Sequence, residues 1–186
     1  MLATFVNVLA GALALAGFYF YVFIYTRWLK RTSPQNIVIG GAAGAFPPLV
    51  GWAAVTGTAF DALPWFMFLI IFLWTPPHFW ALALAGSDDY ARAKVPMLPV
   101  VKGSRVTRNH ILFYSLILVP VALAPYAMNL VGPVYAAVAA IGGLGFVALA
   151  VALWRASEKA ERASAMRLFA YSIFYLAMLF AALMVD

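Results

Sequence analysis

Cysteine is absent from the 186 residues, which excludes disulfides, thiolate zinc sites and cysteine-ligated iron–sulfur clusters. Charge is scarce as well. Only 10% of the chain is Asp, Glu, Lys or Arg, against about a quarter in soluble domains. No repeat of clear period, low-complexity linker or soluble domain is visible. What fills the chain is apolar: 66% hydrophobic residues, with a mean hydropathy of +0.96. Such a composition specifies an all-α integral membrane protein, counted in spans of roughly 20 apolar residues each.

Six segments lack any charged residue: Thr4–Tyr25, Ile37–Val55, Leu63–Ala85, Ile111–Met128, Pro133–Trp154 and Leu168–Met184. These predict six transmembrane helices in a single transmembrane domain covering residues 1–186. All 12 Lys and Arg residues fall in three connections, after the first, third and fifth spans. The connections around Asp61 and Asn129 hold none. Positively charged loops stay on the cytoplasmic side, so the net charge of +6 is a topology signal and does not point to nucleic acid. Both termini are then expected outside. MLATFVNVLAG carries no cationic leader, so it does not read as a secretory signal peptide. The start fits either an uncharged N-out entry or a chain preceded by an odd number of further spans.

Two spans carry unusual backbone signals. The second, IVIGGAAGAFPPLVGWAAV, combines Gly40 and Gly44 in GxxxG spacing with Pro47-Pro48. Small residues at that spacing permit close helix contact, while the prolines remove ladder hydrogen bonds and kink the helix. The third span repeats the proline pair at Pro76-Pro77, directly before His78. Two kinked helices side by side are expected to open a cavity. The longest polar connection, Gly86–Asn109, is expected to be ordered. The segment ASEKAERASAMR should extend the sixth span as a solvated helix, with Glu158 and Glu161 pairing with Arg155, Lys159 and Arg162.

The chemistry gathers at the cytoplasmic end of the third span. If its helix runs on through Gly86, then His78, Leu82, Ala85 and Asp89 share one face, with Asp89 about 16 Å from His78 along the axis. Asp88 and Asp89 admit two readings: interfacial salt bridges, which contribute little, or carboxylates for Mg²⁺, which favours one or two carboxylates together with substrate phosphates. Eight cations on the same side (Arg27, Lys30, Arg31, Arg92, Lys94, Lys102, Arg105 and Arg108) suit an anionic head group better than mutual pairing. His78 reads either as a hydrogen-bonded core residue or as a ligand.

The stretches YTRWLKRTSPQNIVIGGAAGAFPPLVGWAAVTG, at 25–57, and TPPHFWALALAGSDDYARAKVPMLPVVKG, at 75–103, resemble the signatures of the protohaem IX farnesyltransferases (haem O synthases). These belong to the UbiA-type intramembrane prenyltransferases. The resemblance implies that farnesyl passes from farnesyl diphosphate to a vinyl side chain of haem B, giving haem O for assembly of haem–copper oxidases. It also implies Mg²⁺ on Asp88 and Asp89, and diphosphate held by Lys30, Arg31, Asn36, Arg92, Lys94 and Lys102. The haem pocket would involve His78, Phe79, Trp80 and Tyr90. Phe46, Trp52, Trp74, Phe79 and Trp80 are candidates to face an allylic cation. The implied setting is a bacterial inner membrane, with the site facing the cytoplasm, ahead of a mitochondrial inner membrane. A haem A synthase is an implied partner.

The sequence departs from the family pattern in two ways. The superfamily's first acidic motif is missing, since the only acidic residue before Asp88 is Asp61, expected on the opposite membrane face. Nine spans are usual, and the six here match the last six of a nine-helix bundle. An upstream segment or partner would therefore supply the first motif, and the 186-residue chain alone is expected to be inactive. Other readings are a prenyltransferase with a quinone or chlorophyll precursor as acceptor, and a small transporter or lipid-binding membrane module.

Overall fold

The computed structural model describes residues 2–186, and it is all-helical among them. Among the described residues six helices are long and apolar enough to cross a membrane. We label them α1 (Val8–Thr32), α2 (Asn36–Thr56), α3 (Ala62–Ala85), α4 (Leu98–Ala127), α5 (Pro133–Arg155) and α6 (Glu158–Ala182). Short helices at Leu2–Phe5 and Ser87–Arg92 complete the described elements.

Packing follows a simple plan. α3, α4, α5 and α6 close into a four-helix ring, each against two neighbours, while α2 packs on the outside of α3 and α1 on α2. α3 is therefore central: half of its most apolar 18-residue window is buried, against 17% for α1. Small residues allow the helices to approach. Tyr175 and Tyr171 of α6 lie over Gly142 and Gly145 of α5 so closely that an added Cβ would fall 2.6 and 2.3 Å from their atoms. Asp186 reaches back across the bundle, its carboxylate accepting from the amides of Val134 (3.3 Å) and Tyr135 (2.6 Å). Those amides belong to the first turn of α5, whose N–H groups have no helical partners.

The proline pairs do not end their helices, since α2 and α3 run through them. They do remove donors. Pro47 and Pro48 bring no N–H, so the carbonyls of Ala43 and Gly44 lose their i+4 partners. Such backbone is tolerated at membrane depth only against protein or a cavity, and Ala43 and Gly44 both line one.

Three local features differ from the sequence expectation. Phe20–Leu29 of α1 is π-helical, a geometry rare beyond single turns and frequent at functional sites. There the Thr26 hydroxyl donates to the Tyr21 carbonyl, five residues back, at 2.8 Å. The fourth helix starts at Leu98, 13 residues before the apolar run at Ile111, because its polar end lies in the connection between the spans. A break at Gly103 (φ 79°, ψ 169°) divides this extension from the rest of α4, in a region of backbone space that only glycine enters without cost. Glu161 pairs with Arg108 of α4, and not with Arg155, Lys159 or Arg162 as expected. Arg108 is buried, and it also donates to Ser104 Oγ (3.0 Å) and the Ala156 carbonyl (2.6 Å), while Ser104 donates to Glu161. A half-exposed surface partner cannot compete with that shared network.

Candidate functional site

One face of α3 organises the site. Ile71, Thr75, His78 and Leu82 recur at helical spacing, and two kinds of void lie along that side. The deeper one is an apolar cavity of about 900 Å³ between α1, α2 and α3, lined by Tyr21, Tyr25, Gly44, Phe46, Pro47, Gly51, Trp74 and Phe79 among others. Its volume is in the range of small-molecule sites. Nearer the end of α3 are two clefts of about 370 and 260 Å³, the smaller one polar, both lined by Ala85, Gly86, Asp89 and Arg162.

The helix does not continue through Gly86, which leaves helical geometry at φ −125°, ψ 33°. Ser87–Arg92 restarts as a short helix with Asp88 and Asp89 in its first turn. Leu82, Ala85, Asp89 and Tyr90 nevertheless line one cleft together, and Asp88 joins Asp89 in the other. Both carboxylates are exposed. Asp89 pairs with Arg92 across one turn, with both side chains about three-quarters exposed, so the pair is worth little and opens readily to a ligand.

Lys94 ends this short helix in a left-handed conformation, φ 53°. Its N–H bonds to the Ala91 carbonyl and that of Val95 to the Tyr90 carbonyl. That is the Schellman arrangement, in which glycine is the usual residue. A lysine in that conformation carries a cost of about 1 kcal/mol relative to glycine.

The other residues singled out by sequence divide into groups. Lys30, Arg31 and Lys102 are exposed. Asn36 is 1% exposed. Its Nδ2 lies 3.5 Å from the Lys30 carbonyl, and its Oδ1 is buried without a donor. Arg105 stacks on Trp154 at 4.6 Å and Arg108 is committed to Glu161, so neither stands over the clefts. Phe79 lines the apolar cavity, as do Phe46 and Trp74. Trp80 does not: it is fully buried against His110 and Tyr114 of α4. Trp52 donates to Asp61 at 2.7 Å, at the opposite end of α2.

His78 faces α6. Its ring is stacked between Trp74 (4.1 Å) and Phe169 (4.6 Å), with Nδ1 2.6 Å from Ser172 Oγ. The Ser172 hydroxyl donates to the Phe169 carbonyl, so Nδ1 carries the proton donated to Ser172, and Nε2 is left as an acceptor. Arg162 is the residue that sequence reasoning assigned to a surface helix. Tertiary packing brings it to both clefts, and only its position on the cationic side of the chain signalled this.

No three His, Asp or Glu side chains converge as a metal cage among the described residues. Two exposed carboxylates on one turn do fit Mg²⁺, which completes its shell with water and substrate phosphate. The arrangement thus places an acidic, cation-flanked rim above an apolar cavity, suited to a phosphorylated head carrying a hydrocarbon tail.

The model of the UbiA prenyltransferase family matches residues 1–180. The chain belongs to the UbiA prenyltransferase family. This member is 54% identical over 182 residues to the protoheme IX farnesyltransferase of Parvibaculum lavamentivorans, covering 97% of this chain and 57% of that protein. It is 55% identical over 182 residues to the protein of the same name from Bradyrhizobium diazoefficiens, covering 97% and 58%. With the Synechocystis protein of that name it shares 54% identity over 188 residues, covering 100% and 58%. The chain thus spans a little over half the length of the curated relatives it matches. No solved structure matches it.

Proposed function

We propose that this chain is the part of an intramembrane farnesyltransferase that carries the second acidic motif and the cavity behind it. It would act on farnesyl diphosphate and haem B to give haem O, in a bacterial inner membrane with the rim toward the cytoplasm. The observation that carries the reading is the stacking of two voids along α3. Asp88, Asp89, Arg92 and Arg162 border the polar cleft, and Phe46, Trp74 and Phe79 border the apolar cavity. The three charged loops at one end support the orientation, and the names of the relatives support the acceptor.

In this reading the C1–O bond of farnesyl diphosphate breaks and its electron pair leaves on diphosphate. The vinyl π pair forms the new carbon–carbon bond, water adds its oxygen to the other vinyl carbon, and the proton it releases is taken up by the departed diphosphate. Asp88 and Asp89 would hold Mg²⁺, which when bound would supply charge neutralisation for the leaving group. The exposed Lys30, Arg31, Lys94, Lys102 and Arg162 would add positive charge around it, and Asn36, whose amide N–H donates to the Lys30 carbonyl, would act by positioning that end of α1. The aromatic faces of Phe46, Trp74 and Phe79 stabilise allylic cation character. The apolar lining of the cavity disfavours water beside that cation before the vinyl group attacks. His78, packed against α6, and Tyr90, in the rim cleft, are the residues this reading assigns to the porphyrin. The whole chain acts as one transmembrane domain, with the first acidic motif supplied by an upstream segment, and a haem A synthase would receive the product.

A chimera tests this: the three spans expected upstream, taken from the Parvibaculum lavamentivorans relative, fused ahead of Met1. Membranes containing it should convert haem B and farnesyl diphosphate to haem O, detected by mass spectrometry, and the Asp89→Asn form should not. A chimera that inserts and folds, yet forms no haem O where the parent relative does, would refute the assignment.

A further inference from the structure

Ser172 of α6 holds two rings of α3 at once. Its hydroxyl lies 2.6 Å from His78 Nδ1, and its carbonyl accepts from Trp74 Nε1 at 2.8 Å. Trp74 and His78 stand one helical turn apart, so a single residue fixes both. Ser172 is fully buried, and its own proton goes to the Phe169 carbonyl at 2.6 Å. With that proton committed, the hydroxyl oxygen can only accept, and Nδ1 is the nitrogen that donates.

The surroundings leave the imidazole one free direction. Trp74 and Phe169 cover its two faces at 4.1 and 4.6 Å, and Phe79 meets it edge-on at 5.0 Å. Nε2, turned away from Ser172 by the geometry of the ring, has no hydrogen-bond partner among the described residues. The sealed polar side-chain atoms that lack a partner there are Asn36 Oδ1, Trp80 Nε1 and Tyr175 OH. Nε2 is not one of them, so it borders open space, and His78 keeps 8% of its surface exposed. The larger cleft opens along the same seam between α3 and α6, lined by Leu82 and Tyr90 on one side and Arg162 and Met166 on the other. Leu82 stands one turn, about 6 Å, nearer the rim than His78. Met166 likewise precedes Phe169, so His78 and Phe169 form the next layer of the seam below that cleft.

A histidine that ligates a metal generally donates its other ring N–H to a fixed acceptor, which sets the tautomer and raises the basicity of the ligating nitrogen. His78 has that arrangement already. We propose that Ser172 is a positioning residue of the acceptor site: it holds His78 as the Nδ1–H tautomer and leaves the Nε2 lone pair for the iron of the porphyrin substrate. Ser172 itself touches neither substrate. Trp74, which walls the tail cavity, is tied to the same residue, so the tail wall and the porphyrin ligand keep a fixed relation. This rests on the reading of haem B as the acceptor.

The 186-residue chain in lipid nanodiscs tests this, with the signal of empty nanodiscs subtracted. In a His110→Gln background only one of the two histidines remains, so ¹⁵N-labelled histidine reports the His78 tautomer directly by NMR. The parent should carry its proton on Nδ1, Ser172→Ala should shift it toward the Nε2–H form, and Ser172→Thr, which keeps the hydroxyl, should hold the parent tautomer. Ferric haem and iron-free protoporphyrin IX then separate iron ligation from binding of the ring. Ser172→Ala should weaken ferric haem about tenfold or more and change the iron-free porphyrin by less than about twofold. His78→Gln should abolish the preference for the iron-bearing ring, and adding Ser172→Ala to it should cost nothing further. A parent with its proton on Nε2, a parent that binds both porphyrins equally, or a Ser172→Ala form that keeps the parent's iron preference would each overturn the inference and leave the haem reading standing. A parent that binds neither porphyrin above empty nanodiscs would overturn the haem reading, and the inference with it.

Discussion

Replacing Glu161 with Gln removes one charge and almost no volume, and the structure sets what should follow. Arg108 is 7% exposed, and the side chains of the Arg108–Glu161 pair are 8% and 18% exposed. The guanidinium is also tied to Ser104 and the Ala156 carbonyl, so it cannot swing to water without breaking those bonds. Removing one partner of a buried pair costs about 3–5 kcal/mol, because the other charge is left uncompensated. Glu161 retains some access to water, which places the expectation for Glu161→Gln near the lower end, at about 3 kcal/mol. Arg108→Met should cost a similar amount. The double variant Arg108→Met/Glu161→Gln removes both charges, so the two single losses should not add, and a coupling of about 2 kcal/mol or more should appear in the cycle. Reversible unfolding in mixed micelles at fixed detergent composition reads all four proteins. A Glu161→Gln loss under 1 kcal/mol, or strict additivity in the double variant, would refute the account of this network. The result matters for the site as well, because Arg162 follows Glu161 and is aimed by the same first turns of α6.

Further expectations use the same unfolding assay. Gly40→Ala should cost roughly 1–3 kcal/mol through overpacking against Tyr25, whereas Gly44→Ala, whose added Cβ would meet nothing within 4 Å, should be close to neutral, although the two glycines form one GxxxG motif. Asp186→Ala should cost about 1 kcal/mol by uncapping α5, and Asp186→Asn less. Lys94→Gly should stabilise by up to about 1 kcal/mol, since glycine occupies the left-handed region freely, yet weaken binding of inorganic diphosphate. Equal or lower stability would contradict the strain argument.

The spans were legible because hydrocarbon imposes long uncharged runs, and the ring of α3 to α6 with α2 beside it uses those runs as expected from their number. Where helices extend beyond the hydrocarbon, that signal ends. The Leu98 start of α4 carries Lys102, Arg105 and Arg108, of which only Arg108 is buried, where Glu161 of α6 pairs with it. The π-helical turns at Phe20–Leu29 leave no trace in a pattern that is apolar all round. At the site, the acidic doublet and its neighbouring cations stood out against a background nearly free of charge. Which cations remain uncommitted did not, because Arg105, Arg108 and Arg162 look alike until packing assigns Trp154, Glu161 and the Asp89 clefts to them. Likewise Trp80 and Phe79 are adjacent in sequence but point to opposite neighbours, one to α4 and one into the cavity.

The central claim is that Asp88 and Asp89 present a metal-bound diphosphate above an apolar cavity. Equilibrium binding of farnesyl diphosphate to the purified chain, with and without Mg²⁺, tests it most directly, using the parent and the Asp88→Asn/Asp89→Asn variant. Both carboxylates are exposed, so the variant should fold as the parent does. The account predicts Mg²⁺-dependent binding in the parent and at least a tenfold loss in the variant. Binding that is indifferent to both Mg²⁺ and the two carboxylates would contradict it.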